Sequence, residues 1–243
     1  MKEQVVFVDL GLIEYGTAWE LQEKLLKGKV KYKVAAAAVT AGEASPETET
    51  DALPDHLLFC EHPAVYTLGK SGKVSNVLIN EAEMLEKGVT FYNTNRGGDI
   101  TFHGPGQLVG YPILDLENYY TDIGRYLRNL EEVVILTIGE YGLKGERSAG
   151  ETGVWLDANT PGKARKICAM GIRCSRWVTM HGFALNVNTN LDFFNYIIPC
   201  GIQDKKVTSL QNELGYQVPL TEVQESLRRN FEFVFNCKLT YNV

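Results

Sequence analysis

Arg96–Tyr111, RGGDITFHGPGQLVGY, concentrates more chemistry than any other stretch of this 243-residue chain. Two Gly-rich turns bracket a short strand. In that strand Ile100 and Phe102 fall on one face, and Asp99, Thr101 and His103 on the other. An apolar face that packs and a polar face that points outward suit the wall of a pocket. Gly97 and Gly98 open backbone conformations closed to other residues and let a ligand approach the main chain. Gly104-Pro105-Gly106 turns the chain before the apolar run Leu108–Leu114. HGPG alone reads as an ordinary hairpin turn. The Arg, Asp, Thr, His and Gln crowded around it point to a site.

Outward from this stretch, strands and helices interleave. Val5–Asp9 reads as a strand, and Thr17 to about Ala38 as a helix with an apolar stripe of Trp19, Leu21, Leu25 and Leu26. The acidic segment 41–51, AGEASPETETD, has no periodicity and is expected to be an exposed, mobile loop within the domain. Leu57–Glu61, Val65–Leu68 and Thr90–Asn95 read as strands. A short helix lies between the last two, capped by Asn80 with Glu83 and stopped at Gly88. Ile123, Tyr126, Leu127, Leu130, Val133, Val134, Ile138 and Tyr141 recur at helical spacing. Gly153–Asp157, Lys166–Trp177 and Gly182–Val187 are strands again, and Thr221 with Gln224 predicts a capping box for a last helix. An antiparallel hairpin from His103 to Leu114 among these elements predicts an α/β (α+β) fold, a mixed sheet with flanking helices in a single domain over 1–243.

Composition narrows the function. A hydrophobic fraction of 44% and a charged fraction of 22% are those of a soluble protein. No run of about 18 apolar residues predicts a membrane span, and the N-terminus lacks a secretory pattern. Cys60, Cys168, Cys174, Cys200 and Cys237 are odd in number and lack CxxC spacing, which favours reduced thiols in a cytoplasm over disulfides or zinc. A net charge of -6 argues against nucleic acid as a partner, while leaving room for a local basic patch.

A second informative stretch is Lys166–Val187, KICAMGIRCSRWVTMHGFALNV. In a regular strand Lys166 shares a face with Cys168, Met170, Ile172 and Cys174. A lysine at the edge of an apolar face commonly snorkels to water. Held near a pocket, it stabilises a thiolate or serves as a base. His181 before Gly182, Phe183 and Ala184 is, taken alone, more often a satisfied core residue than a catalyst. Four of the five cysteines lie in apolar contexts. Cys200 instead sits between Pro199 and Gly201, which predicts a turn that can expose its sulfur.

These stretches together resemble the lipoate-protein ligase B family, the octanoyl-[acyl carrier protein]:protein N-octanoyltransferases. EHPAVYTLG (61–69), RGGDITFHGPGQ (96–107), GVW (153–155), KICAMG (166–171), HGFALNV (181–187) and PCGI (199–202) follow in the family's order, whereas residues 1–56 match poorly. The resemblance implies the biotin/lipoate protein ligase fold. It also implies a catalytic pair, Lys166 and Cys200, and a substrate pocket lined by Arg96, Gly97, Gly98, Asp99, Ile100, Thr101, Phe102 and His103. Ala169, Met170 and Gly171, with Gly182, Phe183 and Ala184, would complete that pocket. The implied donor is octanoyl-acyl carrier protein. The implied acceptors are lipoyl domains of 2-oxoacid dehydrogenase E2 subunits and the glycine cleavage H protein, with no nucleotide, metal or other cofactor required. Two enzymatic alternatives stand beside it: an ATP-dependent lipoate or biotin ligase of the same fold, and a thioester hydrolase using Cys200 with His103 or His181. A non-catalytic binding module is a third. No Gly-Lys-Ser/Thr follows the glycines, so they do not form a P-loop.

Overall fold

The computed structural model of the chain describes residues 3–42, 53–198 and 206–241. Most of the acidic segment and the turn around Cys200 lie outside these residues. The first strand, β1 (Glu3–Leu12), leads into α1 (Tyr15–Thr40), β2 (Asp55–Glu61) and β3 (Val65–Leu68). A short α2 (Glu81–Glu86) precedes β4 (Thr90–Asn93), β5 (Ile100–His103), β6 (Gln107–Ile113) and α3 (Ile123–Gly139). Next come β7 (Glu146–Ser148), β8 (Glu151–Leu156), β9 (Arg165–Ser175), β10 (Val178–Asn186) and β11 (Lys206–Val207). The chain ends with α4 (Leu210–Leu214), α5 (Leu220–Phe235) and β12 (Cys237–Tyr241).

Among the described residues the strands form two sheets. The larger runs β12-β1-β2-β6-β10-β9-β8-β7, with β11 on β9, and the smaller runs β4-β3-β5. β1 is parallel to both its neighbours, β11 is parallel to β9, and β6, β8 and β10 pair antiparallel. This is a mixed sheet with flanking helices. Strand alternation sends successive side chains to opposite faces. Leu57, Phe59, Leu108 and Leu185 pack against α3 and α5 on one face. Leu58, Cys60, Val109, Tyr111 and Ala184 pack against α1 on the other. No helix among the described residues is long and apolar enough to cross a membrane.

Several local expectations hold. Asn80 and Glu83 form the reciprocal capping box of α2, and Gly88 has a left-handed φ of 63° just past its end. Others are corrected. β5 and β6 are not hairpin partners: β5 pairs with β3 in the small sheet and β6 with β2 and β10 in the large one. Gly104-Pro105-Gly106 therefore carries the chain from one sheet to the other. The real hairpin joins β9 and β10 through Arg176 and Trp177, both at positive φ, so His181 lies inside a strand. α5 begins at Leu220 with Pro219 as its N-cap and no side-chain cap, so Thr221 and Gln224 make no capping box. The helix starts two residues before a cap at Thr221 would place it, and the fixed φ of Pro219 suits the approach to its first turn. In α1 Leu26 of the expected stripe is buried and Trp19, Leu21 and Leu25 are half-buried against the same core, while Tyr15, Ala18, Gln22 and Lys29 are buried as well. Gln22 accepts the His181 N–H at 2.9 Å through its side-chain oxygen, and Lys29 pairs with Asp55 at 2.7 Å, so each buried side chain has a polar partner.

Candidate active site

The segment Arg96–His103 folds down onto β9, where the Gly97 N–H donates to the Ile172 carbonyl at 2.8 Å. A Cβ on Gly171 would lie only 2.7 Å from the Gly97 oxygen, so a glycine is required for this approach. A cavity of about 490 Å³ opens between this segment and β6, β9 and β10, ample for a small acyl chain. Its lining includes Lys166 and Arg96, Gly97, Gly98, Asp99, Ile100, Thr101 and His103. Ala169, Met170, Gly171, Gly182, Phe183 and Ala184 line it as well. Of the residues singled out in sequence and described here, Phe102 alone does not. It is buried beneath the small sheet, with its ring stacked 4.7 Å from that of Phe193.

Tyr15, Gln107, Tyr111, His181 and Asn186 also face the cavity and give it a polar end. His62 donates from Nδ1 to the Ile13 carbonyl, which leaves Nε2 to accept from the Tyr111 hydroxyl, each at 2.7 Å. His103 Nδ1 donates to Gln107 Oε1 at 2.7 Å, and the Gln107 amide donates to Asn186 Oδ1 at 2.9 Å. His181 Nε2 donates to Asn95 Oδ1 at 2.7 Å. The Tyr15 ring stacks on His103 at 5.9 Å. Burial holds His62 down at about 4 and His103 and His181 down at about 3, with His62 and Arg96 adding to the effect on His103, and Arg96 and Arg173 to that on His181. Neutral, weakly basic imidazoles are poor partners for a thiol, which counts against a cysteine–histidine hydrolase built on His103 or His181. Tyr15 carries no signal in the sequence, and Tyr111 reads there only as part of the apolar run Leu108–Leu114. They reach the cavity from α1 and β6, and only the packing of those elements brings them there.

Lys166 enters from β9 at the end of the cavity bordered by Glu151 and Thr152. Its Nζ donates to the Thr152 carbonyl at 3.3 Å and lies 4.5 Å from the centroid of the Trp155 ring. An indole face attracts an ammonium, so the side chain is held rather than free to snorkel. A register shift between β8 and β9 at Val154/Trp155 breaks strict alternation beside Lys166, and Ile167 and Cys168 are both buried in the core. The chain returns to Lys166 as β11, pairing Val207 with Lys166 and Lys206 with Arg165. Cys200 lies outside the described residues, as do Pro199, Gly201 and Lys205. Cys60, Cys168 and Cys237 are buried, and Cys174 is half-buried. Burial pushes the thiols of Cys60, Cys168 and Cys174 up, which leaves them poor nucleophiles at neutral pH.

A match to the lipoyl protein ligase A/B catalytic domain spans residues 14–232. The chain belongs to that family. The family match begins well before the first motif at Glu61, so the N-terminal third, which resembled the family poorly in sequence, is part of the same domain model. Within the family, an octanoyltransferase of Christiangramia forsetii is 56% identical over 99% of this chain and 100% of its own length. An octanoyltransferase of Flavobacterium psychrophilum is 53% identical over 98% of this chain and 99% of its own length. In structure, a bipartite lipoate protein ligase of Thermoplasma acidophilum, studied with its E2 lipoyl domain, superposes with a TM-score of 0.69 at 16% identity. That match covers 100% of this chain and 87% of the other, and it carries the fold of the lipoyl ligases.

Proposed function

We propose that the chain transfers an octanoyl group from acyl carrier protein to a lysine of lipoyl domains, by nucleophilic catalysis through Cys200 in a single catalytic domain. Relatives at 46–56% identity over most of the chain are octanoyltransferases, which supports octanoyl transfer as the activity. The observation that supports the mechanism is Lys166. Its ammonium is held at the cavity's edge by Thr152 and Trp155, beside the strand that follows Pro199-Cys200-Gly201 in sequence.

The Cys200 thiolate attacks the octanoyl thioester. The carbon–sulfur bond to the carrier breaks, and the departing carrier thiolate takes a proton from the Lys166 ammonium. The acceptor's ε-amine then attacks the acyl-enzyme. Its carbon–nitrogen bond forms, the bond to Cys200 breaks, and neutral Lys166 takes the proton the amine loses, restoring the starting thiolate and ammonium. Backbone N–H groups near Gly171 stabilise the oxyanion in both steps. The thioester is already activated, so neither step consumes ATP, in contrast to a ligase of this fold.

The test is transfer from octanoyl-acyl carrier protein to a purified lipoyl domain with ATP withheld. Octanoylation of one acceptor lysine, read by peptide mass, is the expected result. Transfer only from free octanoate with ATP would establish the ligase reading instead.

A further inference from the structure

Glu131, in the middle of α3, is fully buried. A buried carboxylate is costly unless paired, and one oxygen, Oε2, is held by Arg147 Nε at 3.0 Å and Arg128 Nη1 at 2.7 Å. The other oxygen does something different. Oε1 accepts the backbone N–H of Gly153 at 3.0 Å. The peptide that supplies this N–H is the one whose carbonyl, on Thr152, receives the Lys166 ammonium.

A trans peptide is planar, and its N–H and C=O point in opposite directions. Holding the N–H therefore fixes the direction of the carbonyl. Gly153 has φ of 122°, a conformation that favours glycine, and a Cβ there would lie 2.5 Å from the Cys168 oxygen. The backbone has been given an unusual conformation at the point where it bridges a carboxylate and an ammonium. Turned over, the same peptide would aim a donor at Lys166 and leave Oε1 buried without this partner.

We propose that Glu131 is a positioning residue: through the Thr152–Gly153 peptide its carboxylate holds the Lys166 ammonium at the edge of the cavity. The proposal rests on the reading of Lys166 as the proton carrier of octanoyl transfer. Glu131 itself touches neither substrate nor the reacting atoms. Its neighbours Gly153 N–H, Arg147 and Arg128 are all donors, so the amide of a Glu131→Gln variant must turn its own NH₂ against at least one of them.

The experiment compares wild type, Glu131→Gln, Lys166→Met and Cys200→Ala. Turnover of octanoyl-acyl carrier protein is measured together with Trp155 emission in a Trp19→Phe/Trp177→Phe background. Glu131→Gln is expected to lower kcat by about tenfold to a hundredfold while KM for the donor stays within about twofold. Its Trp155 emission should move to that of Lys166→Met, because the ammonium has left the indole. Wild-type emission or wild-type kcat in Glu131→Gln would overturn the proposal. In the wild-type enzyme, the Gly153 amide proton should resonate downfield and exchange slowly. An amide exchanging like an exposed loop would also overturn it, whether or not the variant folds. If Lys166→Met and Cys200→Ala keep full turnover, the reading of the reaction falls instead, and the emission and exchange data still decide the role of Glu131.

Discussion

The Lys166 ammonium lies 4.5 Å from the centre of the Trp155 ring, on the strand next to its own. The aromatic face and the Thr152 carbonyl together keep a long, flexible cation at one place on the cavity wall. In the proposed mechanism such an ammonium favours the Cys200 thiolate and then serves as the acid for the departing carrier thiolate.

This gives a first prediction. A free cysteine titrates at about 8.5, so only a small fraction is thiolate at neutral pH. Alkylation of Cys200 in the wild-type enzyme should therefore begin at lower pH than in Lys166→Ala. Lys166→Arg should retain part of this effect, because the charge stays, yet lose turnover, because arginine does not give up its proton. The buried Cys60 and Cys168 thiols are pushed up and should not react in the native protein, and the label is read on the Cys200 peptide by mass to separate it from the half-buried Cys174. Identical pH profiles with and without Lys166 would return that residue to a packing role.

A second prediction concerns capture of an acidic donor by a chain of net charge -6. Of the cations near the site in sequence, Arg165 is engaged by Asp157 and Glu213, and Arg173 by Glu23. Lys163, Arg176 and Lys206 have no ion pair with another described residue and are the ones left to steer a partner. Lys163→Glu/Lys206→Glu should slow donor capture at low ionic strength and flatten its salt dependence. Stopped-flow association that is unchanged at low salt would move the docking face elsewhere.

A third prediction follows from the buried histidines. In the unfolded chain each titrates near 6.5, whereas His62, His103 and His181 are held down at about 4, 3 and 3. Below pH 6.5 the unfolded state binds more protons, so their stabilisation is fully present above that pH and is lost as pH falls towards 4 and 3. Each should cost roughly 1.5 kcal/mol between pH 6.5 and 5. Urea unfolding across this range checks it, with His181→Asn expected to reduce the slope by about one proton.

Much of the fold was legible because its signals are local. Asn80, Glu83 and Gly88 settle a helix within a few residues, and the long apolar stripe of α3 needs no partner to be recognised. The HGPG turn shows the limit of such signals: a turn reports that the chain bends, not which strand it pairs with afterwards. Likewise the apolar stripe of α1 says nothing of Gln22 and Lys29, whose buried partners His181 and Asp55 come from distant strands. In the site, the glycine-rich walls and Lys166 stand out in sequence. Tyr15, Tyr111 and Glu131 do not, since their parts are assigned by elements that meet only on folding.

A fourth prediction uses that same buried pair. Lys29 Nζ reaches Asp55 Oδ1 and the Leu53 carbonyl, each at 2.7 Å, and Asp55 also accepts the Asp115 N–H at 2.9 Å. Removing the lysine leaves a buried carboxylate without its cation. Lys29→Ala should destabilise the protein by about 3–5 kcal/mol. Lys29→Met/Asp55→Asn should recover a sizeable part of that loss in chemical denaturation. No recovery would mean that packing by the lysine stem, not charge, was lost.

The central claim, a covalent octanoyl intermediate on Cys200, is tested most directly by intact mass spectrometry after mixing the enzyme with octanoyl-acyl carrier protein and no acceptor. The account predicts one added octanoyl group, mapped to Cys200, discharged when a lipoyl domain is added and absent from Cys200→Ala. Cys168→Ala and Cys174→Ala should still acquire it. An adduct that persists in Cys200→Ala, or full transfer to the acceptor by that variant, would contradict it.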